Sequence, residues 1–148
     1  MKQPYLDTGL VLKLVIPEPL SAKVQEFLQK RGVAVPYTRL VEVELENTFQ
    51  EKVFRREITP GQLRHCRDFL DALLSGGKFS QPGLSLDEVA LDALEMMPKI
   101  TAATGCRTLD LLHIVSARRL DCREFVTGDR RQAAAARACG LKVVEIST

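Results

Sequence analysis

The feature that most constrains the fold is the alternation of short apolar segments with longer segments of helical periodicity along the chain. The short segments have the composition of buried strands and lie at 4–7, 33–37, 124–127 and 142–146. Apolar residues recur at helical spacing in the segments 8–15, 18–32, 38–57, 59–75, 86–103, 108–120 and 130–140. Strands that alternate with helices indicate right-handed crossovers and a mostly parallel sheet covered on both faces. The predicted fold class is therefore α/β, a three-layer sandwich with a mostly parallel central sheet.

Helix boundary signals sharpen this prediction. Gly32 is expected to end the second helix, and Thr59 with Pro60 is expected to begin the fourth. Thr108 is the expected cap of the helix that follows it, while Pro98 should bend or interrupt the helix that contains it. The segment 75–85 has a loop composition and is predicted to be irregular.

Length and composition indicate a single domain over residues 1–148. The chain is 45% hydrophobic and 27% charged, with 21 basic and 19 acidic residues and a net charge of +2. A charge this small does not identify a nucleic-acid-binding protein by itself. Four cysteines without a C-x-x-C pair, and only two histidines, do not favour a zinc site. The sequence shows neither the apolar region of a signal peptide nor a membrane span, so we expect a cytoplasmic protein.

Three aspartates occupy related places in the predicted topology. Asp7 ends the first strand, Asp129 follows the strand 124–127, and Asp110 lies in the first turn of the helix after Thr108. Each of them is explained on its own by the preference for aspartate at helix N-termini. The carboxyl ends of parallel strands share one edge, however, where Asp7 and Asp129 should meet and Asp110 join them if its helix begins there. Converging carboxylates repel one another unless a cation lies between them, and oxygen ligands select Mg²⁺ or Mn²⁺.

A second acidic group stands in the helix 38–57, where Glu42, Glu44 and Glu46 alternate with apolar residues. Helical periodicity does not choose among the three, and favourable charge near a helix N-terminus explains them equally well. His113 follows Asp110 by three residues on an otherwise apolar helix. It is expected to be a hydrogen-bonded core or rim histidine, and neither His113 nor His65 is assigned a catalytic role.

Four segments resemble the PIN domain, the metal-dependent nuclease fold of VapC-type ribonuclease toxins. They are YLDTGLVLKLVIPE at 5–18, ELENTFQEKVFRREIT at 44–59, RTLDLLHIVSARRL at 107–120 and FVTGDRRQAAAARACGLKVV at 125–144. Each segment alone is a weak signal, but the four occur in the order and spacing of the family and span nearly the whole chain.

The resemblance implies four metal-binding, catalytic acids. They are Asp7, Glu44, Asp110 and Asp129, with Glu44 selected over its neighbours by the E-L-x-N pattern. It also implies supporting roles for two hydroxyl residues, Thr8 beside the first acid and Thr127 before the last. Gly9 departs from the family, because many relatives carry serine there.

The resemblance further implies a Mg²⁺- or Mn²⁺-dependent endoribonuclease, the toxin of a toxin–antitoxin pair. Its expected partners are RNA, a small antitoxin protein and a second copy of the chain in a homodimer, with antitoxin contacts expected on helices 19–31, 38–57 and 59–75. Arg107, Arg130 and Arg131 are candidates for binding RNA phosphates, although a solvated helix surface explains them as well.

Two other functions are compatible with the sequence. One is a catalytically inactive PIN-like binding or regulatory module. The other is a phosphate-accepting receiver-type domain, which is less favoured because YLDTG carries one aspartate where a receiver has a pair. No glycine-rich phosphate loop or Ser-His-Asp order is present to indicate nucleotide hydrolysis or acyl transfer.

Overall fold

The computed structural model describes residues 2–147. Its five strands are β1 (Tyr5–Leu6), β2 (Val35–Pro36), β3 (Phe79–Ser80), β4 (Glu124–Thr127) and β5 (Lys142–Glu145). Its seven helices are α1 (Thr8–Val15), α2 (Ser21–Arg31), α3 (Arg39–Phe54), α4 (Pro60–Ser75), α5 (Leu86–Thr104), α6 (Thr108–Arg119) and α7 (Arg130–Ala138).

Every strand pairing in the described residues is parallel. Strands β1, β4 and β5 form one ladder in that order, and β2 pairs with β3 in a second ladder. Strand β2 packs next to β1, so the two ladders adjoin. Helices cover both sides of the sheet, which confirms the predicted α/β sandwich with a mostly parallel centre.

The core is aliphatic, with two aromatic stacks on the strands. Tyr5 of β1 stacks on Phe125 of β4 with ring centroids 5.6 Å apart, and Tyr37 stacks on Phe79 at the same distance. Tyr5 and Phe125 are fully buried. These strands are only two to four residues long, so side-chain packing contributes more to holding them together than their few ladder hydrogen bonds.

The helix boundary signals were largely confirmed. Gly32 ends α2 in the left-handed conformation (φ 62°), and Thr59 begins α4 with a capping box and Pro60 at the first position. The prediction for Thr108 was wrong, because Arg107 occupies the cap position and Thr108 is the first helical residue.

Two further predictions, for Pro98 and for the segment 75–85, need correction in part. Helix α5 continues past Pro98 to Thr104 without interruption. Pro98 has no N–H to donate to the carbonyl of Leu94 one turn earlier, and both residues are exposed. The segment 75–85 contains β3, a two-residue strand that is defined by its pairing with β2 and has no signal of its own. Within residues 2–147, no helix is long and apolar enough to cross a membrane.

Candidate active site

Three of the predicted site residues begin helices at one edge of the sheet. Asp7 follows β1 and caps α1, where its carboxylate accepts the backbone N–H of Gly9. Asp129 follows β4 and caps α7, accepting the N–H groups of Arg131 at 2.8 Å and Gln132 at 3.2 Å. β1 and β4 are adjacent and parallel, so both aspartates emerge at the same end of the sheet.

Asp110 belongs to the same group, although it does not follow a strand. It is the third residue of α6, and its Oδ2 accepts the backbone N–H of Arg107 at 3.2 Å. Burial raises the pKa of its carboxyl, and the charges of Asp129 and Asp7 raise it further, outweighing the Arg107 hydrogen bond and the influence of His113. Asp7 and Asp129 are thus near enough for their charges to act on Asp110, and we call these three residues the acidic rim.

Thr127 links the two strand ends of the acidic rim. Its buried hydroxyl lies 2.6 Å from Asp7 Oδ2 and 2.7 Å from the amide oxygen of Gln132, and it accepts the backbone N–H of Asp129 at 3.0 Å. The hydroxyl has a single proton, so it donates either to Asp7 or to Gln132 at any one time. Thr127 thus ties Asp7 to the turn that carries Asp129, and its supporting role at the site stays a prediction. Sequence reasoning missed Gln132, a buried polar residue in an alanine-rich helix.

Two glycines allow this close arrangement. A Cβ atom on Gly9 would lie 3.2 Å from Asp7 Oδ1, and one on Gly128 would lie 3.0 Å from the backbone oxygen of Ile146. The Gly128 contact involves main chain, which cannot move aside as a side chain can. Gly9, the departure from the family pattern, therefore leaves space beside the Asp7 carboxylate that a serine Cβ would crowd.

The structure distinguishes the three glutamates of α3. Glu42 pairs with Arg39 on the same helix, and Glu46 pairs with Arg67 of α4 at 2.6 Å. Glu44 instead points inward and accepts a hydrogen bond from Thr8, the residue after Asp7, at 3.0 Å. The glutamate indicated by the resemblance is thus the one that contacts the segment carrying the acidic rim.

Glu44 also contacts His113, a residue to which sequence reasoning gave no site role. Nε2 of His113 hydrogen-bonds to Glu44 Oε1, and Nδ1 lies 2.7 Å from the hydroxyl of Tyr5. Burial raises the pKa of Glu44, but the hydrogen bond and charge of His113 and the hydrogen bond from Thr8 outweigh it, so the pKa is lowered. We call Tyr5, Thr8, Glu44 and His113 the Glu44 corner. The sequence signal that could have identified His113 is its place as a polar residue on an apolar helix face, one turn after Asp110.

A groove of about 430 Å³ borders the acidic rim. Asp7, Gly9, Lys13, Gly128 and Asp129 contribute to its lining. A separate cleft of about 440 Å³ is lined by apolar residues, glycines, glutamines and Lys78 and contains no carboxylate. The groove beside the acidic rim is therefore the candidate site.

The predicted phosphate-binding arginines lie on exposed surface next to the acidic rim. Arg107 caps the helix of Asp110, and Arg130 and Arg131 directly follow Asp129. None of the three forms a salt bridge with another of residues 2–147, whereas Arg119 binds Glu88 and Asp92. Their guanidinium groups are thus available to an anion, while that of Arg119 is occupied.

The chemistry of the acidic rim fits a divalent cation. Its donors are carboxylate oxygens, which suit Mg²⁺ and Mn²⁺, and a cation would relieve the repulsion that raises the pKa of Asp110. Among the described residues, no three His, Cys, Asp or Glu side chains lie close enough as they stand to hold one ion. Holding one ion with three of these groups therefore requires side chains of the acidic rim to move from these positions.

Comparison with known proteins supports the fold. No protein-family model matches the chain, and no curated protein matches it. Among solved structures, it is similar to the crystal structure of FitAcB from Neisseria gonorrhoeae, with a TM-score of 0.60, 13% identity and 97% of each chain covered. At this identity the likeness shows the fold alone, and the α/β fold class predicted from the sequence, with its mostly parallel sheet, is confirmed.

Proposed function

We propose that this protein is a Mg²⁺- or Mn²⁺-dependent endoribonuclease, the toxin of a toxin–antitoxin pair. The observation that carries the proposal is the acidic rim, in which Asp7 and Asp129 line an open groove and their charges raise the pKa of Asp110 on a third segment. Helix capping alone explains one such aspartate at a time but gives no reason for three to converge.

The acids, the hydroxyl residues and the arginines would have different roles in this function. Asp7, Asp110 and Asp129 would hold the cation, with Glu44 beside them. A bound divalent ion supplies Lewis acidity toward a phosphodiester and lowers the pKa of a water molecule. Thr127 orients Asp7 through its 2.6 Å hydrogen bond, and Thr8 orients Glu44. Arg107, Arg130 and Arg131 would bind flanking phosphates, and the low aromatic content of 5% does not favour base stacking.

The test is cleavage of a mixed pool of structured RNAs with Mg²⁺, Mn²⁺ or a chelator. Asp7→Asn and Asp110→Asn should each reduce cleavage by about two orders of magnitude or more. Asp121→Asn is the matched control, because it makes the same chemical change before the amino end of β4, away from the acidic rim. Asp121 has a φ of 55°, which asparagine also tolerates.

One observation favours the second candidate, a catalytically inactive PIN-like binding module. In the described residues Asp7 and Asp129 serve as helix N-caps, Asp110 accepts the backbone N–H of Arg107, and no three ligating side chains surround a common point. Folded wild-type protein, freed of any partner, that cleaves none of the pool with either metal would favour this second function.

The antitoxin and the homodimer are proposed with the toxin function. Large exposed hydrophobic residues are the surfaces such partners would use, and they include Val43 and Phe54 on α3 and Phe69 on α4. Helix α5 also exposes Leu91 and Leu94. Sedimentation of the wild type against Phe54→Ser tests the homodimer, and co-purification with the product of a neighbouring reading frame tests the antitoxin.

A further inference from the structure

His113 joins four separate segments at the Glu44 corner. It is 2% exposed and lies on α6, while its partners Tyr5, Thr8 and Glu44 come from β1, α1 and α3. Besides its contacts with Tyr5 and Glu44, Nε2 lies 3.3 Å from the hydroxyl of Thr8. A buried imidazole with both nitrogens engaged is held in one orientation.

The direction of each hydrogen bond follows from the chemistry of the groups. The Glu44 carboxylate only accepts, so Nε2 carries a proton and donates to Oε1. Nδ1 accepts the hydroxyl proton of Tyr5 when the ring is neutral and donates to the phenol oxygen when the ring is charged. Burial raises the pKa of Tyr5, so the phenol keeps that proton at neutral pH.

The contacts with Glu44 are asymmetric. Thr8 and His113 both hydrogen-bond to Oε1. Among the described residues, none donates a hydrogen bond to Oε2. Thr8 follows Asp7 in sequence, and His113 lies one helical turn beyond Asp110, so the Glu44 corner adjoins two members of the acidic rim.

We infer that His113 is a positioning residue, which holds Glu44 by Oε1 and leaves Oε2 as the oxygen that Glu44 presents to a divalent ion. The inference rests on the proposed metal-dependent function. Ligating carboxylates are commonly fixed by outer hydrogen bonds, and loss of such a partner typically costs about 10–100-fold in metal affinity or activity.

Nuclear magnetic resonance of the wild-type protein tests this without altering the Glu44 corner. The chain has two histidines, and His65 is exposed, so ¹⁵N-histidine labelling supplies its own control. On titration with Mg²⁺, the ring nitrogen signals of His113 should shift and saturate while those of His65 stay constant. Asp7→Asn should abolish the shift.

The outcomes separate the two proposals. In a uniformly ¹⁵N-labelled sample, saturable shifts of the Thr8 and Gly9 amides with no change at His113 overturn the inference and leave the proposed function standing. A wild-type spectrum in which no signal responds to Mg²⁺ or Mn²⁺ overturns the proposed function and this inference with it.

Variants of His113 give a second measurement, the Mn²⁺ dissociation constant by calorimetry. His113→Leu removes the donor to Glu44 and should weaken Mn²⁺ binding about 10–100-fold, whereas His113→Gln keeps an N–H donor and should recover part of the loss. Ile114→Val is the matched control, since Ile114 is the next buried residue on α6 and makes no polar contact with Glu44.

A folded Leu variant that binds Mn²⁺ as tightly as the wild type overturns the inference. So does an Ile114→Val protein whose Mn²⁺ binding falls equally, because that result would make the loss a general effect of destabilisation. If His113→Leu does not fold, the wild-type titration decides.

Discussion

Glu44 and Asp110 are both half-buried carboxylates at the same end of the sheet, yet their neighbours move their pKa values in opposite directions. Burial raises the pKa of both. At Glu44, His113 and Thr8 outweigh it and lower the pKa. At Asp110 the hydrogen bond from Arg107 is insufficient, and the charges of Asp129 and Asp7 raise the pKa further. The environment, more than the extent of burial, sets the behaviour of each acid.

The opposite pKa shifts indicate that the Glu44 corner stabilises the folded protein, whereas the acidic rim lowers its stability. The ionised Glu44 corner contributes to the folded state, because a buried carboxylate there finds hydrogen-bond donors. In the acidic rim, ionisation of Asp110 opposes folding, because burial and the charges of Asp129 and Asp7 disfavour its carboxylate form. Repulsion retained at one edge of a fold is typical of a functional site and is relieved when a cation binds.

The largest expected effect on stability is that of removing His113. His113→Leu should lower the free energy of unfolding by about 3 kcal/mol, because the Tyr5 hydroxyl and the Glu44 carboxylate lose their partner. Urea denaturation at pH 7 measures the loss. A change below about 0.5 kcal/mol would mean that the Glu44 corner contributes little to folding.

Glu44→Gln should cost less, about 1 kcal/mol at pH 7, because the amide accepts weaker hydrogen bonds than the carboxylate. A lowered folded-state pKa contributes stability that is present above the unfolded value and lost as the pH falls through the folded value. The difference from the wild type should therefore shrink below about pH 4. A difference that is constant from pH 7 to pH 3 would contradict the assignment.

Asp110→Asn should have the opposite sign and raise stability by about 0.5 kcal/mol at pH 7 without divalent ions. The raised folded-state pKa of Asp110 means that the wild type loses stability as the pH rises from the unfolded value to the folded value. The gain of the variant should thus vanish toward about pH 3. Added Mg²⁺ should raise the melting temperature of the wild type but not of the variant.

The smallest expected effect on stability is that of Gly9→Ala. Alanine has a higher helix propensity than glycine and should stabilise α1, but its Cβ would press on Asp7 Oδ1. Because the two effects oppose each other, the free energy of unfolding should stay within about 0.5 kcal/mol of the wild-type value. Displacement of Asp7 should nevertheless reduce the stabilisation by Mg²⁺, which thermal unfolding measures with and without the ion. Unchanged Mg²⁺ stabilisation would show that the space beside Asp7 is not needed.

Much of the fold could be predicted because its signals are local. Apolar periodicity, the Thr59 cap with Pro60 and the left-handed Gly32 depend on neighbouring residues in the chain. Strand β3 could not be predicted, since two residues in a polar segment become a strand only by pairing with β2. Pro98 was expected to bend or interrupt its helix, yet α5 continues past it to Thr104 with Pro98 on an exposed face.

The positions of Asp7 and Asp129 at one sheet edge followed from the order of strands and helices, and the resemblance selected Glu44 from three similar glutamates. The amino-acid sequence by itself determined which acids are available and where the strands place them, because periodicity, caps and parallel crossovers are set along the chain. Only the tertiary structure decided the partners of Glu44. His113 is 69 residues from Glu44 and 108 from Tyr5, and hydrogen bonds over such separations arise only when distant segments pack together.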